Sequence, residues 1–459
     1  MSLSMLQLKP EEIDTAEKRG KYAVSIIGCG KGGVFHAYFF AEAGYKVTCT
    51  DPDQTTVNRV TRGRIPFLEA ETETKLRNHV KTGQVAATSD LKTAISRSDI
   101  IIVTTPVKID DKRKPDYSAI ESACKKVGQS LHRGSLVIIT EVTGMNITES
   151  LIKELLENTS GFKVGTDIGL AYSPLSFSYE QTLGALAKQE RVVAAADKDS
   201  LNAASTLLET VVRNRVRRAE NLKTAEAAIL LGDIQQNVNN ALLTEFAFFC
   251  ERAGIDHSEV IKLMNSAESN KISLAKLSNE EGQKASHLLL EDAENLNAKL
   301  RFPAIALQLN EEIVGHTVNL VKEALRRCGK TLRRARVTLL GVSQTPNIRD
   351  SAKEMINELV KMLESKGAKI SLYDPYFSGD ELPDIQKGFK KNLTEALEGA
   401  DCILILTGHD QFERMNLKKL KALMKMPAAI VDIERILEPD KIEKEGFAYR
   451  GLGRGVMEK

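Results

Sequence analysis

The six cysteines of this 459-residue chain, at 29, 49, 124, 250, 328 and 402, include no C-x-x-C pair, and its seven histidines are equally scattered. Without paired thiols the chain is expected to keep reduced cysteines in a cytosolic fold and to carry no zinc module. No other metal site suggests itself. Tryptophan is absent, and no apolar run approaches the length of a membrane span. The polar N-terminus, KPEEIDTAEKRG, resembles neither a signal peptide nor a stop-transfer segment. Charge of one sign is lacking too: the formal net charge is +2, which gives no global case for nucleic acid or an acidic surface as a partner. The remaining expectation is a soluble, cytoplasmic protein with no nucleic-acid or membrane partner. At 42% apolar and 27% charged residues, it is long enough for two or three domains, each with its own core.

The most informative stretch runs from Tyr22 to Asp53. An apolar β-branched run, Val24 to Ile27, breaks into a glycine-rich turn; a helix-compatible segment and a second apolar run follow, ending on Asp51. Gly28, Gly30 and Gly33 have G-x-G-x-x-G spacing, and Asp51 lies about 20 residues further on, as a dinucleotide fingerprint requires. Gly28 permits the tight turn, Gly30 lets the backbone approach a pyrophosphate, and Gly33 lets the helix lie close to its strand. The helix then offers free N–H groups and a positive dipole end to the phosphates. Asp51 would accept hydrogen bonds from the adenosine ribose, favouring NAD over NADP. Cys29 sits inside this loop, where a helix N-terminus could lower its pKa; a small side chain tolerated in a tight turn is the simpler reading.

Residues 1–21 form a polar leader, expected to be partly mobile. Over 22–205 strand-like runs alternate with helical patterns: Val24–Ile27, Val47–Thr50, Ile100–Val103, Leu136–Thr140, Leu170–Tyr172 and Val192–Ala196. That alternation predicts a doubly wound parallel sheet with its ligand at the carboxyl ends of the strands. Thr105, in Thr104-Thr105-Pro106, and Thr143, in Thr140-Glu141-Val142-Thr143, stand at two of those ends and are placed to face the cofactor. From 206 to 330 the period becomes helical, with one long helix ended by Gly254 and another stopping at Gly329. Such helices between two α/β units build either a dimer interface or an intradomain layer. Residues 331–459 echo the first domain: ARVTLLGVS, a helical segment, then AKISLYDPY, with Asp374 where Asp51 stood and Gly341-Val342-Ser343 as the turn. The fold class is therefore α/β, two Rossmann-like doubly wound domains joined by a helical dimerisation region. Basic clusters at Arg213–Arg218 and Arg326–Arg336 are best taken as solvated faces.

In order along nearly the whole chain stand GCGKGG with TDPD, RGRIPFLEA, VTTP followed by KPDYSAI, TEVT, LAYSP, KTAEAA…NNALLTE, LLGVSQTPNIRD, LYDPY and LTGHDQF. This series resembles the UDP-glucose/GDP-mannose dehydrogenase family, particularly its UDP-N-acetylmannosamine branch. The resemblance implies an N-terminal NAD domain, a helical dimerisation region giving a homodimer, and a C-terminal nucleotide-sugar domain. It also implies oxidation of a sugar C6 alcohol to the carboxylate with two NAD reduced. That chemistry calls for a base, a thiol to trap the aldehyde, a lysine with an asparagine near it to support the oxyanion, and a glutamate to help water hydrolyse the thioester.

Against the family pattern, the asparagine-proline-glutamate motif is Ser173-Pro174-Leu175, so Leu175 stands for the glutamate. The family lysine falls on Ile229 and the asparagine one turn later on Asp233. Lys223, six residues before Ile229, is turned by about 240° on the helix and cannot replace that lysine. The glycine-rich loop bearing the nucleophilic cysteine has no counterpart between Cys250 and Cys328. In the C-terminal domain the family lysine and arginine fall on Thr345 and Ala352. The proline-glycine-threonine turn after TEVT is Asn146-Ile147-Thr148. The resemblance makes the chain an NAD-binding nucleotide-sugar 6-dehydrogenase; the residues allow two rivals. One is a non-catalytic paralogue that binds NAD and a nucleotide sugar as a sensor or partner subunit. The other is a two-electron alcohol oxidoreductase using Asp233, Glu226 or a bound water as base.

Overall fold

The computed structural model describes residues 4–65, 67–68, 70–175, 186, 188–266, 280–349, 353, 355–377 and 385–454. The chain folds as two compact units, Met1–Gln235 with Glu281–Leu300, and Gln236–Glu280 with Arg301–Lys459. The stretch 206–330 is thus divided between them.

The first unit is built on an eight-stranded sheet. Its strands are β1 (Ala23–Ile27), β2 (Lys46–Thr50), β3 (Val85–Thr88), β4 (Ile100–Val103), β7 (Leu136–Ile139), β8 (Gly169–Tyr172), β9 (Arg191–Ala195) and β10 (Val216–Arg218); β5 (Lys108–Ile109) and β6 (Pro115–Asp116) form a separate small hairpin. The order β10-β9-β8-β7-β4-β1-β2-β3 reverses between β1 and β4, which puts the switch-point crevice outside their carboxyl ends. β4 and β7, Ile-Ile-Ile-Val and Leu-Val-Ile-Ile, are buried on both faces, as strands covered by helices on either side must be. Burial of each such side chain contributes about 1.5–3 kcal/mol. One edge departs from the expected parallel sheet. β9 runs antiparallel to β8, Ala171 facing Ala195, and β10 then follows β9 in parallel. Hydrophobic periodicity carries no strand direction, so Val192–Ala196 could not announce this.

The leader is not loose where described. Met5, Leu8 and Ile13 are buried in the first core, and the Met5 N–H donates to Gly134 O at 2.8 Å.

The second unit carries a five-stranded, all-parallel sheet: β11 (Arg336–Leu340), β12 (Lys369–Tyr373), β13 (Cys402–Ile405), β14 (Ala429–Asp432) and β15 (Ala448–Gly451), in the order β12-β11-β13-β14-β15. The helix Phe302–Arg327 lays Val318, Val321 and Leu325 into the same core as Val337, Leu404 and Val431. The other long helix, Leu222–Ala253, ends before Gly254 at φ +72°, and Phe302–Arg327 ends just before Gly329 at φ +67°, both left-handed stops that glycine adopts without penalty. The basic clusters lie at the surface: Arg213, Arg215, Arg217, Arg218, Arg326, Arg327, Arg333, Arg334 and Arg336 are all exposed. Among the described residues no helix is long and apolar enough to cross a membrane.

Candidate functional site

The turn after β1 has the shape its glycines require. Gly28 adopts φ +103°, and its N–H donates to Thr50 O at 2.9 Å. A β-carbon on Gly33 would lie 1.8 Å from Gly28 O, so the helix Lys31–Glu42 can start this close to the strand only with glycine there. At Gly30, the helix N-cap, a β-carbon would meet nothing within 4 Å and no side chain caps the helix, so the backbone faces open space. Asp51 binds the turn from the end of β2: Oδ2 accepts the Cys29 N–H at 2.8 Å and Oδ1 the Asp53 N–H at 2.9 Å. The carboxylate is part-buried and keeps lone pairs for a ribose hydroxyl. An NAD pyrophosphate over Gly30 and a ribose at Asp51 therefore fit the residues present.

Thr104, rather than Thr105, braces this turn. Its hydroxyl donates to Gly28 O at 2.8 Å, while the Thr105 hydroxyl reaches Ile27 O only at 3.5 Å. Thr143 is fully buried and its hydroxyl points to Glu226 Oε1 at 3.4 Å.

Glu226 lies wholly inside the protein and organises the turn that follows β7. Its carboxylate accepts the Asn146 N–H at 2.5 Å and the Thr148 N–H at 2.9 Å. From the other side the Met145 N–H donates to Asp292 Oδ2 at 2.8 Å and the Gly144 N–H to the Tyr117 hydroxyl at 3.1 Å. A turn with no proline is thus fixed by three side chains, with Asn146 at φ +68°. Burial pushes the Glu226 carboxyl above its usual value, against the pull of those bonds. So engaged, Glu226 is a brace, and the role of base considered for it from the sequence does not suit its position.

Further polar groups gather at the carboxyl ends of β7 and β8. Lys284, on the helix Glu280–Asn295, forms an ion pair with Glu141, both about one-sixth exposed. The Tyr172 hydroxyl is pushed well above its normal pKa, first by burial and then by the negative fields of Glu226, Glu141 and Asp233. The fields of those three carboxylates thus reach one strand end. Asp233, two turns beyond Glu226 on the same helix, is almost fully buried. Ile229 between them is half-buried, Leu175 is buried and Lys223 is exposed. Lys284 had no signal in the sequence, since its partner lies 143 residues away; Glu141 stood within a recognisable strand end but carried no spacing to single it out.

No thiol is offered to this region. All six cysteines are buried. Cys29 is raised by its hydrogen bond with Cys49 and by burial, opposite to what a helix N-terminus alone would do. Burial raises Cys250, Cys328 and Cys402 as well, and takes Cys124 to about 12.

In the second unit, the turn after β11 is filled. Asp374 Oδ2 accepts the Val342 and Ser343 N–H groups at 2.8 and 3.0 Å, while buried His409 places Nε2 3.2 Å from the same oxygen and 3.1 Å from Ser343 Oγ. The Asn347 N–H donates to His409 Nδ1 at 2.9 Å, which leaves the ring proton on Nε2. Both Asp374 and Ser343 thus meet one nitrogen, and this is a clamp, not a nucleophile's relay. Buried Lys353 donates to Leu406 O and lies 3.4 Å from Glu434 Oε1. Thr345 is half-buried; Ala352 lies outside the described residues.

Residues 22–212 match the NAD binding domain of the UDP-glucose/GDP-mannose dehydrogenase family, and residues 338–439 match its UDP binding domain. The chain is 28% identical over 439 residues to a UDP-N-acetyl-D-mannosamine dehydrogenase of Pyrococcus horikoshii, covering 94% of this chain and 99% of that one. It is 25% identical over 447 residues to a UDP-glucose 6-dehydrogenase of Bacillus subtilis, covering 95% and 94%. Among solved structures, the UDP-D-ManNAc dehydrogenase from Pyrococcus horikoshii superposes with a TM-score of 0.83 at 25% identity, over 94% of this chain and 99% of that chain. A UDP-glucose dehydrogenase from Pyrobaculum islandicum gives a TM-score of 0.81 at 20% identity, over 94% and 98%, a likeness of fold.

Proposed function

The chain belongs to the UDP-glucose/GDP-mannose dehydrogenase family, with that family's NAD and UDP binding domains, and from this premise we propose that it oxidises a UDP-sugar C6 alcohol by two electrons only. The observation that carries the proposal is the burial of every cysteine in the chain. Without a reachable thiolate the aldehyde cannot be held as a thiohemiacetal, and the second hydride has no precursor. NAD, held by Gly28, Gly30, Gly33 and Asp51 with Thr105 and Thr143 at neighbouring strand ends, supplies the hydride acceptor.

The chain's own residues divide the remaining work. Asp233 takes the alcohol proton, and Lys284 provides a cation for the developing alkoxide, the task that Ile229 cannot perform. Paired with Glu141, the Lys284 ammonium does not stand alone in a low-dielectric site, and it would meet the alkoxide while keeping that partner. Glu226, Asp292 and Tyr117 hold the floor of the site. The substrate class follows the relatives, with UDP-N-acetylhexosamines first. The dimer expected from the sequence is proposed to form through the second unit's helices, where Leu242, Phe246 and Phe249 make an exposed stripe at helical spacing, with Phe302 and Ile305 also exposed.

Incubation with NAD and a panel of UDP-sugars, followed at the NADH absorbance, tests this directly. One NADH per sugar is expected; two would refute it. No NADH together with tight NAD binding would instead establish the second reading, a non-catalytic paralogue, which the replacement of the family lysine by Ile229 favours. In the active case Lys284→Met should lower kcat by roughly 10²–10³ while KM stays within a few-fold.

A further inference from the structure

Arg191 opens β9 and is wholly buried, yet among the described residues it forms no ion pair. Among the described residues its side chain makes one hydrogen bond, from Nη2 to Ser173 O at a long 3.3 Å, and Nε has no partner. Burial lowers its pKa to about 10, which leaves it charged at neutral pH. An isolated guanidinium inside a protein costs several kcal/mol, so such groups are normally paired.

Beside it stands a second orphan. His36, on the helix that follows the glycine turn, is 2% exposed, and its Nε2 likewise has no partner. Burial and the charge of Arg191 hold this imidazole well below its usual pKa, so it is neutral and carries one N–H. Both side chains line a single cavity of about 10 Å3, walled otherwise by Phe39, Leu186, Leu208, Val211 and Val212. That volume admits one small particle. A water could accept both N–H groups but would leave the positive charge unbalanced. The apolar walls exclude a hydrated cation, and the space is too small for a phosphate or carboxylate ligand.

We propose that this cavity binds a single halide-sized monovalent anion, held between Arg191 and His36. The anion neutralises the guanidinium and so fixes the Ser173 end of β8, the strand end that borders the candidate active site. The site is separate from the glycine turn and from the Asp233 cluster.

The experiment uses the full chain exchanged into methanesulfonate at fixed ionic strength. Replacing that anion with chloride or bromide should raise Tm saturably, by about 5 °C at 100 times the half-saturating concentration, and fluoride should act more weakly. Arg191→Met should remove this halide response and leave Tm equal in the two salts. Should that variant not fold, crystals of the unaltered protein grown in bromide provide the second measurement. An anomalous peak within about 3.5 Å of Arg191 Nε is expected there. A halide-independent Tm would overturn the proposal, as would a water or a carboxylate at that position. A bromide peak with no Tm response would mean an adventitious ion only, and would overturn it equally.

Discussion

The two units answer one design problem in opposite ways. Each has a strand, a glycine turn and a following strand that ends in an aspartate whose carboxylate accepts N–H groups from the turn: Asp51 with Cys29, Asp374 with Val342 and Ser343. In the first unit the helix N-terminus at Gly30 is left bare. In the second, His409 and Thr407 close over the turn, the Thr407 hydroxyl donating to Ser343 O at 2.7 Å, and the next described helix is Met355–Ser365. The same strand-end aspartate therefore leaves a cradle open in one unit and anchors a plug in the other. An echo in sequence is not an echo in binding.

The sharpest way to break this comparison is steric. Gly33→Ala drives a β-carbon into Gly28 O at 1.8 Å and should cost about 3 kcal/mol or more, read by chemical denaturation. Gly30→Ala meets nothing and should stay within about 0.5 kcal/mol in stability while weakening NAD binding. Equal stability losses in the two variants would mean that the loop is not open as described.

Next in size is the plug. His409→Ala takes away the acceptor of the Asn347 N–H and one of several partners of the buried Asp374 carboxylate, and should destabilise by about 1–3 kcal/mol. NAD affinity by calorimetry should not change, and a large drop would tie the second turn to the cofactor. Acid reads the same contact. Burial alone would raise the Asp374 carboxyl, but hydrogen bonds from His409, Tyr376 N–H and Ser343 N–H outweigh it and hold the group at about 2. Because the folded value lies below the unfolded one, near 4, this contribution is complete above about pH 4 and is lost as pH falls towards 2; it amounts to about 2 kcal/mol. Unfolding curves across that window should be flatter for His409→Ala than for the unaltered chain.

Asp51→Ala gives the most modest effect, a weakening of NAD binding by about 1–3 kcal/mol. An affinity that did not move would remove Asp51 from the cofactor's ribose.

Much of the first unit could be read before any coordinates. Gly28, Gly33 and Asp51 act through local geometry, within one β-turn-helix-β unit, so spacing alone specifies them. The two long helices and their glycine stops were equally legible because amphipathic period and chain reversal are properties of neighbouring residues. The antiparallel β9 was hidden, since strand direction depends on which edge is free. β3, β10 and β15 carry no strand signal because Val-Ala-Ala-Thr, Val-Arg-Arg and Ala-Tyr-Arg-Gly are too short or too polar to stand out from loops.

The candidate site divides along the same line. The expectation that Ile229 stands for the family's lysine and Leu175 for its glutamate comes from the sequence, because each concerns one position. That Glu226 braces the turn at Asn146, that Lys284 meets Glu141, and that Arg191 stands beside His36 without a carboxylate are facts about pairs 80 to 155 residues apart. By itself the sequence determined the nucleotide cradle, the alternation of strands and helices, and the absence of a cysteine-bearing loop. Which carboxylates gather at one strand end, and which charges are left to face a cavity, was decided only by tertiary structure, because desolvation and pairing act between side chains brought together through space.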